Sequence, residues 1–402
     1  MDQPSTPDLQ TAQRLILEQT STLPAQAIPL EESLYRTPSL SLPALLPSPS
    51  FNHSTRDGFV LSASPDSQGK YRIAGEIPAG DICKNHLTKG EAWRIMTRAQ
   101  LPTGGVKVIP QEQCTVEGDI LLISSKGLLA KDSFIRKQGS NIAQGKVVVP
   151  AGTPTQPEHQ ALLAGVGYTE IPVHLRPKVS FFCTGNELVG PTATKLSGQK
   201  VSENRFLLNS LIQLFGAIPT DCGLVGDNKN ELHRVFATLD SDQTDVIIST
   251  GGMGPGKYDL LEDAFIEAGG QVIYNALKIR PGKATLFGTL GQSLFFGLPG
   301  PPPAVHLLFH ELVRPALLAL QGIKQCLPER IKIRLTEHLT CPEKKTPCLK
   351  SGIFQINQGI CTARLAKKSE ATSCYLVCPA HRQQFHTGEW IQAHLINSPF
   401  QG

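Results

Sequence analysis

The sequence predicts a multidomain α/β plus β protein: a doubly wound α/β domain, an N-terminal region carrying an inserted β module, and a C-terminal β-barrel. Three observations lead there. Between about 178 and 320, short apolar runs alternate with stretches of helical period, as in a parallel sheet covered on both faces. Around 71–136 and 326–402, apolar runs of a few residues are separated by turn residues, the pattern of small β modules. Finally, 402 residues are too many for one ordinary core and suit several domains.

In chain order, DLQTAQRLILEQT sets Leu9, Ala12, Leu15 and Ile16 at helical spacing, and a Pro-broken connector follows. Asp57-Gly58 marks a turn before the apolar Phe59, Val60 and Leu61. RIAGEIPAG, EAWRIMT, GGVKVIPQE and DILLISS read as strands of the β module. PEHQALLAGVGYTEIPV reads as a short helix ended by glycine.

In the central domain VSFFCTG, TDCGLVGD and DVIISTGG are buried strands, each ending in a polar or glycine-rich turn. SENRFLLNSLIQLFG is a helix with Ser202 or Asn204 as cap and Gly216 as terminator. NELHRVFATLD and YDLLEDAFIEAGG are helices, QVIYNALKI, ATLFGTL and SLFFGLPG are strands, and PPPAVHLLFHELVRPALLAL closes the domain. RIKIRLTEHL, IFQINQG, SCYLVCPA and EWIQAHL supply the strands of the barrel.

Composition narrows the function. The hydrophobic fraction is 40%, and 36 Gly and 31 Pro imply many turns rather than disorder. A net charge of +4, with basic residues scattered, argues against nucleic acid as a partner. No segment approaches the roughly 20 apolar residues of a membrane span. The first residues lack a basic start followed by an apolar core, so a cytoplasmic location with ten reduced cysteines is expected. Cys341, Cys348, Cys361, Cys374 and Cys378 have irregular spacing and no CxxC pair, so they read as core residues rather than zinc ligands.

Ligands of doubly wound sheets bind beyond the carboxyl ends of the strands. Four features fall there. In STGGMGPGKYD, Gly251, Gly252, Gly254 and Gly256 allow backbone N–H groups to converge on an anion. Asp259 then either caps the next helix or holds a divalent cation on phosphate oxygens. Glu187 and Asp227 each follow a buried strand, and with Asp259 they place three carboxylates on one edge. Carboxylates so gathered repel unless a cation joins them. Lys278, Arg280 and Lys283 crowd a Pro-Gly turn and suit an oxyanion. Pro299 and Gly300 form a stiff loop before a helix whose free N–H groups favour anions.

Taken in order, FNHSTRDGF, RIMT, QEQ, IRKQGSNI, PAGT, STGGMGPGKYD, RPGKATLFG and GLPG resemble the molybdopterin molybdenumtransferase family, including the E domain of gephyrin-like proteins. The resemblance covers nearly the whole chain and marks a divergent member. It implies four domains: residues 1–45 with 139–175, an inserted β module at 46–138, a molybdopterin-binding α/β domain at 176–325, and a barrel at 326–402. It also implies an elongated homodimer whose active site lies between the α/β domain of one subunit and the N-terminal region of the other. The implied reaction inserts molybdate into adenylylated molybdopterin with Mg²⁺ and releases AMP.

Carried over by motif, Asp57, Thr97, Glu187, Asp227, Asp259 and Lys283 would be catalytic, with Asp227 and Asp259 on the metal. Gly251, Gly252, Gly254, Lys278, Arg280, Pro299 and Gly300 would hold the pterin substrate. Other cofactor-assembly proteins or recipient molybdoenzymes would be partners. Where the family has Gly-Ala-Pro after RIMT, this chain has Arg98-Ala99-Gln100, and Pro301 replaces the asparagine after Leu-Pro-Gly. Those departures keep two alternatives open, a pterin carrier without turnover and a nucleotide pyrophosphatase of the competence-damage type.

Overall fold

A computed structural model describes residues 6–396, apart from 68–69, 82–85, 126, 128–130, 195, 242–243, 254–259 and 342–344. The central domain is built on six strands: β1 (Lys178–Thr184), β2 (Ile218–Val225), β3 (Val246–Thr250), β4 (Gln271–Tyr274), β5 (Leu286–Leu290) and β6 (Ser293–Leu298). Their order across the sheet is β2-β1-β3-β6-β5-β4. β2, β1, β3 and β6 run parallel, as the apolar runs predict. The β6–β5 and β5–β4 pairs are antiparallel, so the sheet is mixed. A five-residue apolar run carries no sign of strand direction, and the short Gly291-Gln292 turn that reverses the chain is what fixes it.

Side chains on β1 alternate between two cores. Phe181 faces the cluster with Leu208 and Ile212, while Phe182 faces Leu232 and Phe236. Each such buried phenylalanine contributes roughly 2–3 kcal/mol of burial. On the second face Phe265 stacks on Phe295 at 4.3 Å. The first face is covered by Glu203–Leu214 and by the closing helix, whose Phe309–Val313 stretch widens to π-helical form. Pro302–Leu320 is, at 19 residues, long and apolar enough by composition to cross a membrane, contrary to the sequence expectation; 83% of that stretch is buried inside the protein. It is mostly apolar because it lies between core elements, and its His310, Glu311 and Arg314 are buried with the rest.

The N-terminal helix, Leu9–Glu18, packs Ala12 and Ile16 into the same core. Asp8 caps it, accepting from Thr11 N at 2.8 Å. The chain enters and leaves the β module through antiparallel pairs, Ala25–Pro29 with Glu170–His174 and Leu42–Pro43 with Val147–Val149. The module itself is a six-stranded sheet including Gly58–Leu61, Tyr71–Ile77 and Glu91–Ile95. Five strands close the C-terminal barrel. Cys341, Cys348, Cys374 and Cys378 stand in its core, and burial pushes the Cys374 thiol up to about 12.

Candidate active site

The loops after β1, β2, β3 and β6 emerge on one edge of the sheet. β1 pairs with β2 on one side and β3 on the other, so the strand order reverses there and the loops part. A cavity of about 900 Å³ fills the gap. Glu187 and Asp227 line it, as do Gly251, Gly252, Pro299 and Gly300.

The backbone of these loops is tightly constrained. Gly185 has φ +150°, and a Cβ there would meet Glu187 Oε2 at 2.8 Å. Gly251 has φ +93°, and its Cβ would lie 2.4 Å from Thr184 O, so only glycine lets the ends of β1 and β3 approach. Asn186 N donates to Asp227 Oδ2 at 3.1 Å, and Asp227 N donates to Asn186 Oδ1 at 3.0 Å. This reciprocal pair stitches the β1 and β2 loops together and fixes the Asp227 carboxylate. Glu231, one turn on, accepts from Asn228 Nδ2 at 2.8 Å and Gly226 N at 2.6 Å, and these bonds hold its carboxyl below the usual range.

The basic turn is only partly brought to the cavity. Ala284 lines it, whereas Lys278, Arg280 and Lys283 are not among the described lining residues. Leu277 N donates to Lys283 O at 2.9 Å and closes the turn. Two distant segments fasten it. Lys278 N donates to Pro7 O at 2.9 Å, and Arg280 N donates to Pro347 O at 3.0 Å while Leu349 N returns a bond to Arg280 O at 2.8 Å.

Asp57 and Thr97 meet each other in the β module. Thr97 N and Oγ1 donate to Asp57 Oδ1 at 2.6 and 2.8 Å, which holds that carboxyl below its ordinary value. Both are exposed, and neither lines the cavity of its own chain. Arg98, next to Thr97, takes φ +68°, the left-handed region suited to glycine. Gly254, Gly256 and Asp259 lie outside the described residues, so the Asp227–Asp259 pair is untraced. Among the described residues no group of three or more His, Cys, Asp or Glu is arranged to hold a metal.

Sequence reasoning missed Lys200, Ser202, Asn204 and Thr250 as cavity residues. Ser202 and Asn204 were legible only as helix caps. Ser202 does occupy the N-cap position, yet its side chain makes no capping bond. The Asn204 amide instead reaches across to Gly300 O at 2.8 Å.

Residues 8–167 match the family described as the MoeA N-terminal region (domain I and II), and residues 180–319 match a probable molybdopterin binding domain. A molybdopterin molybdenumtransferase of Haemophilus influenzae is 31% identical over 360 residues, spanning 87% of this chain and 88% of its own. This chain belongs to the molybdopterin molybdenumtransferase family. A molybdopterin molybdenumtransferase of Staphylococcus aureus strain MSSA476 is 27% identical across 95% of this chain and 94% of its own. The crystal structure of a molybdopterin biosynthesis moeA protein from Pyrococcus horikoshii superposes with a TM-score of 0.84 at 25% identity, covering 99% of this chain and all of that one. The molybdenumtransferase likeness therefore extends through the β module and the barrel. As a molybdenumtransferase-family chain, the protein is placed among enzymes of molybdenum cofactor biosynthesis.

Proposed function

We propose that the cavity binds adenylylated molybdopterin, and that the protein inserts molybdate into it with Mg²⁺, releasing AMP. The observation that carries this reading is that Glu187 and Asp227 share one cavity with the glycine turn Gly251-Gly252 and the Pro299–Gly300 loop. Carboxylate oxygens are the hard donors Mg²⁺ prefers, and Asp227 is already oriented by Asn186. Asp227 with Asp259 would hold the ion. When bound, Mg²⁺ neutralises charge on the phosphoanhydride and makes its phosphorus easier to attack. Glu187 stands at the cavity rim, where it would orient the adenylate end of the substrate. Lys283, with Lys278 and Arg280 on the same turn, would attract molybdate and the substrate phosphate, both anions. The Gly251 and Gly252 backbone lets the substrate approach closely.

Asp57 and Thr97 complete the site from a second copy of the chain in this reading. Their mutual bond orders them on an exposed corner, apart from their own cavity. The N-terminal region also exposes Leu40, Leu45, Leu46 and Phe51, an apolar surface suited to a homodimer.

The test is AMP release from adenylylated molybdopterin by the purified protein with Mg²⁺, with and without molybdate. Molybdate-stimulated release supports the reading. Substrate binding with no release at any molybdate concentration would replace it with a carrier role. Sedimentation of the same sample checks the dimer, and a monomer active at high dilution would remove Asp57 and Thr97 from the site.

A further inference from the structure

The amino edge of the central sheet holds a second concave site, at the other end of the strands from the cavity described above. A cavity of about 680 Å³ lies where the N-terminal region meets the starts of β1 and β2. Arg36, Arg176 and Lys178 line it, together with Glu32 and Asp245. None of its described lining residues belongs to the cavity at the carboxyl ends. Its volume is that of a small-molecule site.

The backbone that carries these charges is clamped. Leu175 N donates to Pro24 O at 2.9 Å, Ile218 N to Pro177 O at 2.8 Å and Asp245 N to Lys178 O at 3.0 Å. Lys178 N returns a bond to Asp245 Oδ2 at 2.7 Å. Arg176 and Lys178 therefore project from a fixed segment. Arg36 is half-buried, and its Nη2 donates to the uncharged His174 O at 2.7 Å. Burial first, and then the nearby Arg176, hold the Arg36 guanidinium below its ordinary pKa, while Glu32 acts the other way and more weakly. Repulsion from Arg176 thus exceeds the attraction of Glu32 at this point. Two guanidiniums held together against their repulsion offer forked donors that match an oxyanion.

Asp245 gives the site a second character. It also lines an adjoining cavity of about 810 Å³, whose wall includes Ser21, Thr22, Thr289 and Gln292. Leu23 and Pro24 are common to both cavities, so the two form one groove. A half-buried carboxylate repels an anion but accepts well from a hydroxyl. The groove therefore suits a ligand with an anionic end and a hydroxylated body, more than a bare inorganic anion.

We infer that this groove binds a small phosphate ester of the pentose phosphate class, with its phosphate across Arg36 and Arg176 and its hydroxyls toward Asp245. The site does not depend on the reaction assigned to the other edge of the sheet, and it stands or falls separately from it.

The experiment is calorimetric titration of the full chain with ribose 5-phosphate, ribose and inorganic phosphate. Wild type is compared with Arg176→Ala and Asp245→Asn. Arg176 is exposed, so its truncation spares the core. Ribose 5-phosphate should bind wild type more tightly than either of its parts. Arg176→Ala should weaken it about tenfold or more, the effect of one lost charge-assisted pair. Asp245→Asn should weaken ribose 5-phosphate while inorganic phosphate binds as before or more tightly. Phosphate held at the carboxyl-end cavity would respond to neither substitution, because neither residue lines it. A wild type that does not bind ribose 5-phosphate overturns the site, and so does an Arg176→Ala protein that binds it as wild type does. An Asp245→Asn protein that keeps both affinities, or loses both equally, overturns the hydroxyl half of the assignment and with it the pentose phosphate class.

Discussion

Glu187 and Asp227 stand at the cavity edge with access to solvent, whereas Glu311, on the helix that closes the same domain, has no exposed surface. Glu311 accepts from Gln13 Nε2 at 3.1 Å and pairs with His394 Nδ1 at 2.8 Å. Gln13 in turn accepts from Arg330 at 3.0 Å, and His306 meets the Tyr375 hydroxyl. These residues come from the N-terminal helix, the closing helix and the barrel. The cavity holds its carboxylates at its open edge, and the seam encloses its own. Charge that reaches a cavity marks the place where chemistry is expected; charge fully enclosed by partners fixes how domains meet.

Removing Glu311 is expected to have the largest effect on stability. Glu311→Ala leaves the His394 ring buried without its acceptor, while Gln13 Nε2 keeps only its bond to the Glu311 main-chain carbonyl, and it should cost about 3–4 kcal/mol in urea unfolding. A change below about 1 kcal/mol would make the seam incidental. Asp227→Ala should do the reverse, lowering AMP release by about 100-fold or more with little change in the urea midpoint. If both variants fail in both assays, the contrast between the two regions is wrong.

Acid should also separate the regions. Burial, together with nearby His306 and Arg314, holds the His310 pKa well below its ordinary 6.5, and burial lowers His306 as well. Both rings are therefore neutral in the folded seam. As pH falls below 6.5 the unfolded chain takes up protons that the folded chain refuses, so stability is lost toward acid and regained above that value. The expected slope is about 1.4 kcal/mol per pH unit for each buried ring. His310→Phe should flatten the decline in melting temperature between pH 7 and 5, and an unchanged slope would clear His310.

The smallest expected effect lies in the β module. Arg98 is exposed at φ +68°, so Arg98→Gly should relieve about 1 kcal/mol of backbone strain and raise the melting temperature slightly. A lower melting temperature would mean that the arginine makes contacts outweighing the strain.

The two regions also differ in how far the sequence discloses them. The parallel strands and the loops behind them are plain in runs such as VSFFCT and VIIST, because a strand buried on both faces must be apolar throughout. Placing Glu187, Asp227, Gly251 and Pro299 on one edge needed only the rule that ligands collect at strand carboxyl ends, and the cavity joins those four. The barrel strand Ile360–Leu365 was not evident, since it returns through a tight turn at Gln358 and Gly359, both at positive φ, and its Cys-Thr-Ala stretch is weakly apolar. The seam was not evident at all. Gln13 and Glu311 are 298 positions apart, and no local pattern connects a glutamine in one helix with a carboxylate in another. Asn204 escaped for a related reason, because a polar residue at a helix start is first read as a cap.

The fastening of the basic turn has a consequence for how the protein is made. Arg280 is bonded to Pro347 and Leu349, which leave the ribosome only after 67 and 69 further residues have been added. At roughly 5–20 residues per second, the first strands and their loops are on hand several seconds before the Arg280 end of the turn can be fixed. A nascent chain can thus own a folded ligand edge, with Lys278 already fastened to Pro7, while Arg280 still waits for its partners.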